Sequence, residues 1–231
     1  MGYHVIFNNE DKFETTYAET TDELYDLNLN KDSIIYQGEK EWKPQKIAES
    51  EYVKYTEPNN IAGYKAERMF FNLAFNKYIL EPIEQDIESK ERYNVFAKEK
   101  LSKENYSYIK RGDFLIRDIL NLEVDVKCRK FDDQDKFSIN HYEIENFKRM
   151  QVISKVPIIY AVFERSGNAP LEDRLFTISN FKILQLIESG DLIKLSSKDG
   201  GYYKISSGKH CWHGLGAIEH FKKKMKLIID D

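Results

Sequence analysis

The sequence has few of the features that mark a secreted or membrane protein. It contains 2 cysteines among 231 residues, too few for a disulfide framework, and reduced thiols are expected. No run of about 18 apolar residues occurs, so no segment is predicted to span a membrane. The N-terminal stretch MGYHVIFNNEDKF lacks the charged, apolar, small-residue order of a signal peptide. A cytoplasmic location is therefore expected.

The sequence also lacks the glycine and nucleophile motifs of several enzyme classes. It contains no Walker-type glycine loop, no GxGxxG and no GxSxG, so nucleotide-driven and serine-hydrolase activities have no support. Apolar residues make up 41% of the chain and charged residues 32%. These values are typical of a globular protein long enough for one or two domains.

Charge is unevenly distributed along the chain. The formal net charge is −4, but residues 1–60 hold thirteen acids against six lysines, a balance of −7, which leaves +3 for the rest. At the other end, six lysines lie between Lys204 and Lys226, with Glu219 as the one acid among them. This basic segment either binds a phosphate backbone without reading its sequence or keeps a terminal helix soluble.

The centre of the chain, residues 110–131, reads KRGDFLIRDILNLEVDVKCRKF. β-branched and aromatic residues alternate with polar ones on both sides of a short polar interruption, which predicts two strands joined by a turn. With the hairpin centred near Ile119, Asp113 of the first strand lies opposite Asp125 of the second. The sequence thus predicts two carboxylates side by side on neighbouring strands.

The second predicted strand carries three charged residues on one face. Glu123, Asp125 and Lys127 are two residues apart, so their side chains leave the same side of the sheet. Carboxylate oxygens are the hard ligands that Mg²⁺ prefers, and acids from neighbouring strands beside a lysine form a plausible site for Mg²⁺ or Mn²⁺. The activity this pattern indicates is metal-dependent cleavage of a phosphodiester.

A solvent-facing strand is the alternative, with Asp125 paired to Lys127 or Arg129 at the surface. Residues 156–164, VPIIYAVFE, argue against it, because an apolar run without alternation is typical of a strand covered on both faces. A helix with capping-box spacing, starting at Asn140, precedes this run. Strand, strand, helix and buried strand predict an α/β fold with a mixed central sheet flanked by helices.

Another acid lies on the helix predicted over residues 62–80. Glu67 falls on or beside the apolar face of that helix, where a carboxylate is costly unless a positive or hydrogen-bonding group meets it. Alternatively, Glu67 lies at the edge of the apolar stripe and contacts Arg68 or solvent.

Residues 61–165 resemble the PD-(D/E)XK nuclease superfamily, the fold of many restriction enzymes, junction resolvases and repair nucleases. Asp113 matches the first Asp of the family pattern, Asp125 and Lys127 match its (D/E)xK, and Glu67 is the best match to its helical acid. The resemblance implies that these four residues are catalytic. It also implies that the lysine positions the attacking water.

The resemblance further implies a set of metal ligands. These are Asp113, Asp125, the backbone carbonyl of Val126, Glu67 and Glu123. Gly112 stands where the family usually has proline. Asp occupies the position where Glu is common, and Glu123 lies on the same face, so Glu123 and Asp125 remain alternatives as the main ligand.

The first 50 residues resemble the small bacterial modules related to the GYF domain. The resemblance rests on a strand, a short helix opened by Thr20 and Glu23, and the stretch DSIIYQGEKEWKPQKI. An unrelated small β-rich domain with Trp42 in its core is the alternative. The expected organisation is an α+β interaction module at 1–52 with a protein partner, a linker at 53–60, and a nuclease-like domain at 61–231.

The leading hypothesis is a Mg²⁺-dependent endonuclease of restriction or repair type that acts on DNA, with RNA as a further possible substrate. The resemblance also makes a homodimer possible. The alternative is a nuclease-fold module that binds nucleic acid or protein without turnover. His210, Cys211 and His213 invite a zinc interpretation, but no partner cluster occurs elsewhere, and packing around Trp212 is favoured.

Overall fold

The computed structural model describes residues 2–9, 12–27, 34–38, 45–46, 58–83, 110–119, 121–197 and 200–229. Trp42 and positions 53–57 of the predicted linker lie outside these ranges. Among the described residues, no helix combines the length and apolar character needed to cross a membrane. The chain divides into two compact units, Met1–Lys65 with Gly167–Ala169, and Ala66–Ser166 with Pro170–Asp231.

Twelve strands and six helices lie within the described ranges. The strands are β1 Gly2–Asn9, β2 Lys12–Ala18, β3 Ile34–Gly38, β4 Gln45–Lys46, β5 Leu80–Pro82, β6 Phe114–Ile116, β7 Leu122–Arg129, β8 Lys136–Asn140, β9 Ile158–Ser166, β10 Ala169–Ser179, β11 Tyr202–Ser206 and β12 Trp212–His213. The helices are α1 Thr21–Asp26, α2 Pro58–Phe75, α3 His141–Ser154, α4 Asn180–Glu188, α5 Ser207–His210 and α6 Gly216–Ile229.

The first unit contains a four-stranded antiparallel sheet in the order β2-β1-β3-β4. Thr20 caps α1 by accepting a hydrogen bond from the backbone N–H of Glu23, as its capping-box spacing predicts. Val5, Leu24 and Ile35 are buried in its apolar cluster. β2 is an additional strand, which the sequence pattern does not reveal because its threonines and glutamate read as a polar connection.

The second unit is built on a six-stranded mixed sheet in the order β12-β10-β9-β7-β6-β5. β6 and β7 pair antiparallel, whereas β7 and β9 pair parallel. α3 lies between β7 and β9 along the chain, as a parallel connection requires. β9 is buried over most of its length. The predicted mixed central sheet flanked by helices is confirmed.

Helices and a small second sheet cover the central strands. On one side α3 and α4, with the antiparallel pair β8 and β11, enclose an apolar cluster around Phe147 and Tyr160. α2 packs on β6 through Phe70, whose ring centroid lies 5.6 Å from that of Phe114. Because Glu67 is one helical turn before Phe70, this packing turns Glu67 toward the strand that follows Asp113.

Several boundaries differ from the sequence expectation. The helix predicted over residues 62–80 ends at Phe75, and Leu80 begins β5. The buried strand predicted over residues 156–164 spans Ile158–Ser166. α2 begins at Pro58, so Pro58–Asn60 form its first turn rather than the end of a linker; proline fits there because the first helical N–H has no intrahelical partner. The first hairpin strand is only Phe114–Ile116. The preceding residues Lys110–Asp113 approach β7 without forming a regular strand.

Gly112 allows this close approach. A Cβ at this position would lie 2.8 Å from the carbonyl oxygen of Val124 and 2.9 Å from its carbon, which are backbone atoms that cannot rotate away. Gly112→Ala is therefore expected to lower the free energy of unfolding by roughly 1–3 kcal/mol, measured by chemical denaturation.

Gly208→Ala is the matched control in the same unit. Gly208 lies in α5, and nothing lies within 4 Å of a Cβ built there, so alanine is expected to change stability by less than about 1 kcal/mol, toward a more stable fold. Equal losses in the two variants would contradict the steric role of Gly112.

Candidate active site

The pairing of β6 with β7 ends next to the two predicted aspartates. Phe114 pairs with Val124 in a register centred at Ile119, as predicted, and Asp113 precedes the first paired residue of β6. The backbone N–H of Asp113 donates to the carbonyl of Val124 at 2.8 Å. The antiparallel pairing therefore brings both carboxylates to one region of the sheet.

Asp125 is fully buried and lies between two lysines. Lys110 Nζ lies 2.8 Å from Oδ1, and Lys127 Nζ lies 2.7 Å from Oδ2. Burial alone would raise the pKa of this carboxyl group, but Lys127 and Lys110 outweigh burial and lower it. The same attraction raises the pKa of the Lys127 ammonium despite its own burial. Asp125 is thus held in its charged form.

Asp113 has the opposite electrostatic environment. Its Oδ2 accepts a 2.6 Å hydrogen bond from the backbone N–H of Val126, which favours the charged form, but burial and the neighbouring charge of Asp125 raise its pKa to about 6. The contact between Asp113 and Val126 therefore involves the Val126 amide. The Val126 carbonyl remains a predicted ligand.

Glu67 reaches the same group of charges from α2. Burial raises its pKa from 4.5 to about 7, and the charges of Asp113 and Asp125 contribute further, while Lys127 opposes the rise. Glu67 is partly exposed, so the two interpretations left open by the sequence, an inward acid and an acid at the edge of the apolar stripe, both stay predictions. Its raised pKa indicates that the neighbouring charges do not fully compensate its charge.

Glu123 is held apart from this group. It is buried, and it accepts hydrogen bonds from Arg111 Nε at 2.6 Å and from the backbone N–H of Gly112 at 2.9 Å. Burial raises its pKa even though Arg111 lowers it. These contacts tie the segment before β6 to β7. Of the two alternative ligands, the geometry favours Asp125, because its neighbours are Lys127 and Asp113.

Glu143, near the start of α3, also contacts this group of charges, which the sequence did not predict. Its Oε1 lies 3.4 Å from both Lys110 Nζ and Lys127 Nζ, and Arg129 Nη2 lies 3.7 Å from Oε2. Its spacing from Asn140 suggested a capping role, but Asn140 makes no side-chain cap hydrogen bond. No local pattern distinguishes an inward first-turn glutamate from a capping one.

Four acids and two lysines of this site form what we call the acid–lysine cluster. Its members are Glu67, Asp113, Asp125, Glu143, Lys110 and Lys127. When all six are charged, the carboxylates exceed the lysines by two charges, and Arg129 lies at the edge with 36% of its side chain exposed. Two of the carboxyl groups have raised pKa values.

The cluster fits a divalent cation in charge and in ligand chemistry. Its excess of two negative charges equals the charge of one Mg²⁺ or Mn²⁺, and carboxylate oxygens are suitable ligands. Asp125 Oδ2 and Glu143 Oε2 are buried and have no hydrogen-bond partner. The Lys127 ammonium near Asp125 Oδ2 makes a charge contact. Within the described ranges, however, no three His, Cys, Asp or Glu side chains converge on one point as they stand.

The histidines and cysteine near the C-terminus do not form a metal centre in the part of the chain that is described. His213 Nε2 contacts the backbone carbonyl of Asp173 at 3.0 Å. Burial raises the pKa of the Cys211 thiol to about 12, so it is a poor metal ligand. The packing expected around Trp212 is not extensive. Trp212 itself is 52% exposed and stacks on His220.

Comparisons with known proteins add a structural likeness. No protein-family model matches the chain, and no curated protein matches it. Among solved structures, the chain is similar to D212, a nuclease from a fusselovirus, with 15% sequence identity, coverage of 70% of this chain and 90% of that chain, and a TM-score of 0.39. With a TM-score this low, the roles of the residues depend on their own contacts.

Replacing Glu67 with glutamine is expected to stabilise the metal-free protein above neutral pH. The carboxyl group has a pKa of about 7 in the folded chain against 4.5 ordinarily. The folded state therefore binds more protons between these values, and stability falls as pH rises through this window. Thermal denaturation in EDTA at about pH 8 should show the variant melting roughly 3–6 °C above wild type.

Near pH 5 wild-type Glu67 is protonated, so the two proteins should melt at about the same temperature. Glu188→Gln, at an exposed position on α4, is the control and should show no such pH dependence. A Glu67→Gln shift of equal size at both pH values would show that the gain does not come from the charge.

Proposed function

We propose that this chain is a divalent-metal-dependent nuclease whose active site is the acid–lysine cluster. One observation carries the proposal: the buried Asp125 carboxylate lies between Lys110 and Lys127, and its charge helps to raise the pKa values of Glu67 on α2 and of Asp113 before β6. Burying like charges together lowers stability. Proteins keep such arrangements mostly where a function requires them.

Three carboxylates would hold the metal, namely Asp113, Asp125 and Glu67, with the Val126 carbonyl as a further oxygen. Glu123 is a weaker choice, because Arg111 and the Gly112 amide already occupy its oxygens. When bound there, Mg²⁺ or Mn²⁺ lowers the pKa of a coordinated water and polarises a phosphate oxygen.

The chain's own residues supply the remaining chemistry. Lys127 is 12% exposed, so its ammonium can point at a phosphate oxygen or at the attacking water with little competition from solvent, and it stabilises negative charge that develops there. Glu67, with a pKa of about 7, is suited to accept a proton from that water at neutral pH.

DNA is the proposed substrate, with RNA as the alternative nucleic acid. The basic segment supports a polyanionic ligand: Lys223 and Lys224 on α6 are exposed, and such contacts bind phosphates without reading sequence. A homodimer and a cytoplasmic location belong to the same proposal. The chain would then cut nucleic acid as an endonuclease of restriction or repair type with a PD-(D/E)XK-like site.

For the N-terminal unit we propose an interaction role. Its small antiparallel sheet and the short helix α1 are compatible with a GYF-like module that recruits a protein partner, and residues 1–60 carry a net charge of −7. The proposed interaction role of the N-terminal unit and the proposed nuclease activity of the second unit do not depend on each other.

A second function is favoured by one specific observation. Both oxygens of Asp125 face lysines, and within the described ranges no three potential ligands converge. A chain that binds nucleic acid or protein through this fold without turnover would show the same geometry. The two functions predict different results in a cleavage assay.

The deciding experiment measures cleavage of supercoiled plasmid, linear duplex, single-stranded DNA and RNA with Mg²⁺ or Mn²⁺. Asp125→Asn and Lys127→Met are each expected to lower the rate on the cleaved substrate by about 10²-fold or more, because each removes charge at the reacting phosphate. EDTA should abolish cleavage by wild type.

Asp173→Asn and Lys148→Met are the controls, since they make the same chemical changes at exposed positions, and both should retain cleavage. Thermal melts of all variants establish that each is folded. Binding of nucleic acid by folded wild type, with no cleavage of any substrate, would reject the nuclease and support the binding module. Cleavage retained by both cluster variants would show that the active site lies elsewhere in the chain.

A further inference from the structure

Lys110 has an unusual position in the acid–lysine cluster. Its Nζ lies 2.8 Å from Asp125 Oδ1 and 3.4 Å from Glu143 Oε1, and 5.1 Å from the centroid of the Phe147 ring. Its ammonium therefore lies between two buried carboxylates. This is where a cation of either kind, ammonium or metal, is electrostatically favoured.

The two lysines that contact Asp125 differ in their freedom to leave it. Lys127 lies on β7, two residues from Asp125, is paired in the sheet with Val162 of β9, and is 12% exposed. Lys110 precedes β6, belongs to no strand and is 27% exposed. Its flexible side chain can swing into solvent while the backbone stays in place. Of the two, Lys110 can vacate Asp125 without moving a strand.

A metal ion and the Lys110 ammonium would compete for the same oxygen. Mg²⁺ binds carboxylate oxygens at about 2.0–2.1 Å, and a second cation hydrogen-bonded to that oxygen is repelled by the metal at close range. Use of Asp125 Oδ1 as a ligand therefore requires Lys110 to withdraw.

Glu143 is a second, independent indication that the two lysines do not neutralise all of the carboxylate charge in the cluster. Its Oε2 is buried and makes no hydrogen bond, with Arg129 Nη2 3.7 Å away. A buried carboxylate oxygen without a partner costs free energy. The site is thus only partly neutralised by its own side chains.

We infer that Lys110 is a tethered counter-ion that competes with the divalent metal for Asp125 and so controls metal loading of the site. The inference rests on the proposed function, because it concerns the same metal. In the absence of metal, Lys110 keeps Asp125 paired and the fold stable. On metal binding, its ammonium leaves Asp125.

The test is a calorimetric titration of the full-length chain with Mn²⁺ in the absence of nucleic acid. Lys110→Met is expected to lower the Kd for Mn²⁺ at least about fivefold, because the competing charge is gone. Lys110→Arg keeps a positive charge and should bind Mn²⁺ about as wild type does. Lys148→Met removes the same net charge at an exposed position on α3, outside the acid–lysine cluster. It should therefore change the Kd for Mn²⁺ by less than about twofold.

Melting temperature gives a readout independent of heats of binding. In EDTA, Lys110→Met should melt below wild type, because Asp125 loses one of its partners. Saturating Mn²⁺ should raise its melting temperature by more than it raises that of wild type. If Lys110→Met does not fold, Lys110→Gln, which retains a hydrogen-bond donor without the charge, replaces it in both measurements.

The outcomes separate this inference from the proposed function. Tighter binding by Lys110→Met supports it, including the case in which wild type binds no Mn²⁺ and the variant does. Equal or weaker binding by the variant, with wild type binding, overturns the counter-ion role and leaves the metal site standing. Absence of Mn²⁺ binding by every variant overturns both.

Discussion

Burial of the Asp125 charge is the constraint on which the rest of the second unit depends. The carboxylate has no exposed surface, and an unpaired buried charge would cost several kcal/mol. Lys127 from its own strand and Lys110 from the segment before β6 offset that charge, and Glu143 from α3 holds both ammonium groups. The hairpin and the crossover helix are therefore held in register by the same contacts that define the site.

The acids around Asp125 fall into two groups with different physical roles. Glu123 is paired with Arg111 and the Gly112 amide, so its role is to fasten the segment before β6 to β7, although burial still raises its pKa. Glu67 and Asp113 keep raised pKa values of about 7 and about 6. Their charges are left partly uncompensated, as is common for acids at functional sites.

Much of the hairpin follows from local rules. Alternation with a period of two predicted which side chains share a face, and the position of the polar turn predicted a register centred at Ile119, as the pairing of Phe114 with Val124 shows. The helix beginning after Asn140 and the buried strand over residues 158–166 were likewise recognisable from capping spacing and an uninterrupted apolar run. β2 and β8 were not, because short polar strands acquire their partners from distant segments.

By itself, the sequence determined the mixed α/β class, the strand that carries Asp125 and Lys127, and the presence of Glu67 on a helix face. Only the tertiary structure decided which charges meet. Lys110 and Glu143 are 33 residues apart, and nothing in their local patterns indicates a contact. Glu123 and Asp125 share a face of β7, yet Arg111 pairs with Glu123 and two lysines pair with Asp125. Long-range packing sets these pairings, because the strength of an ion pair depends on burial and distance that a linear pattern does not contain.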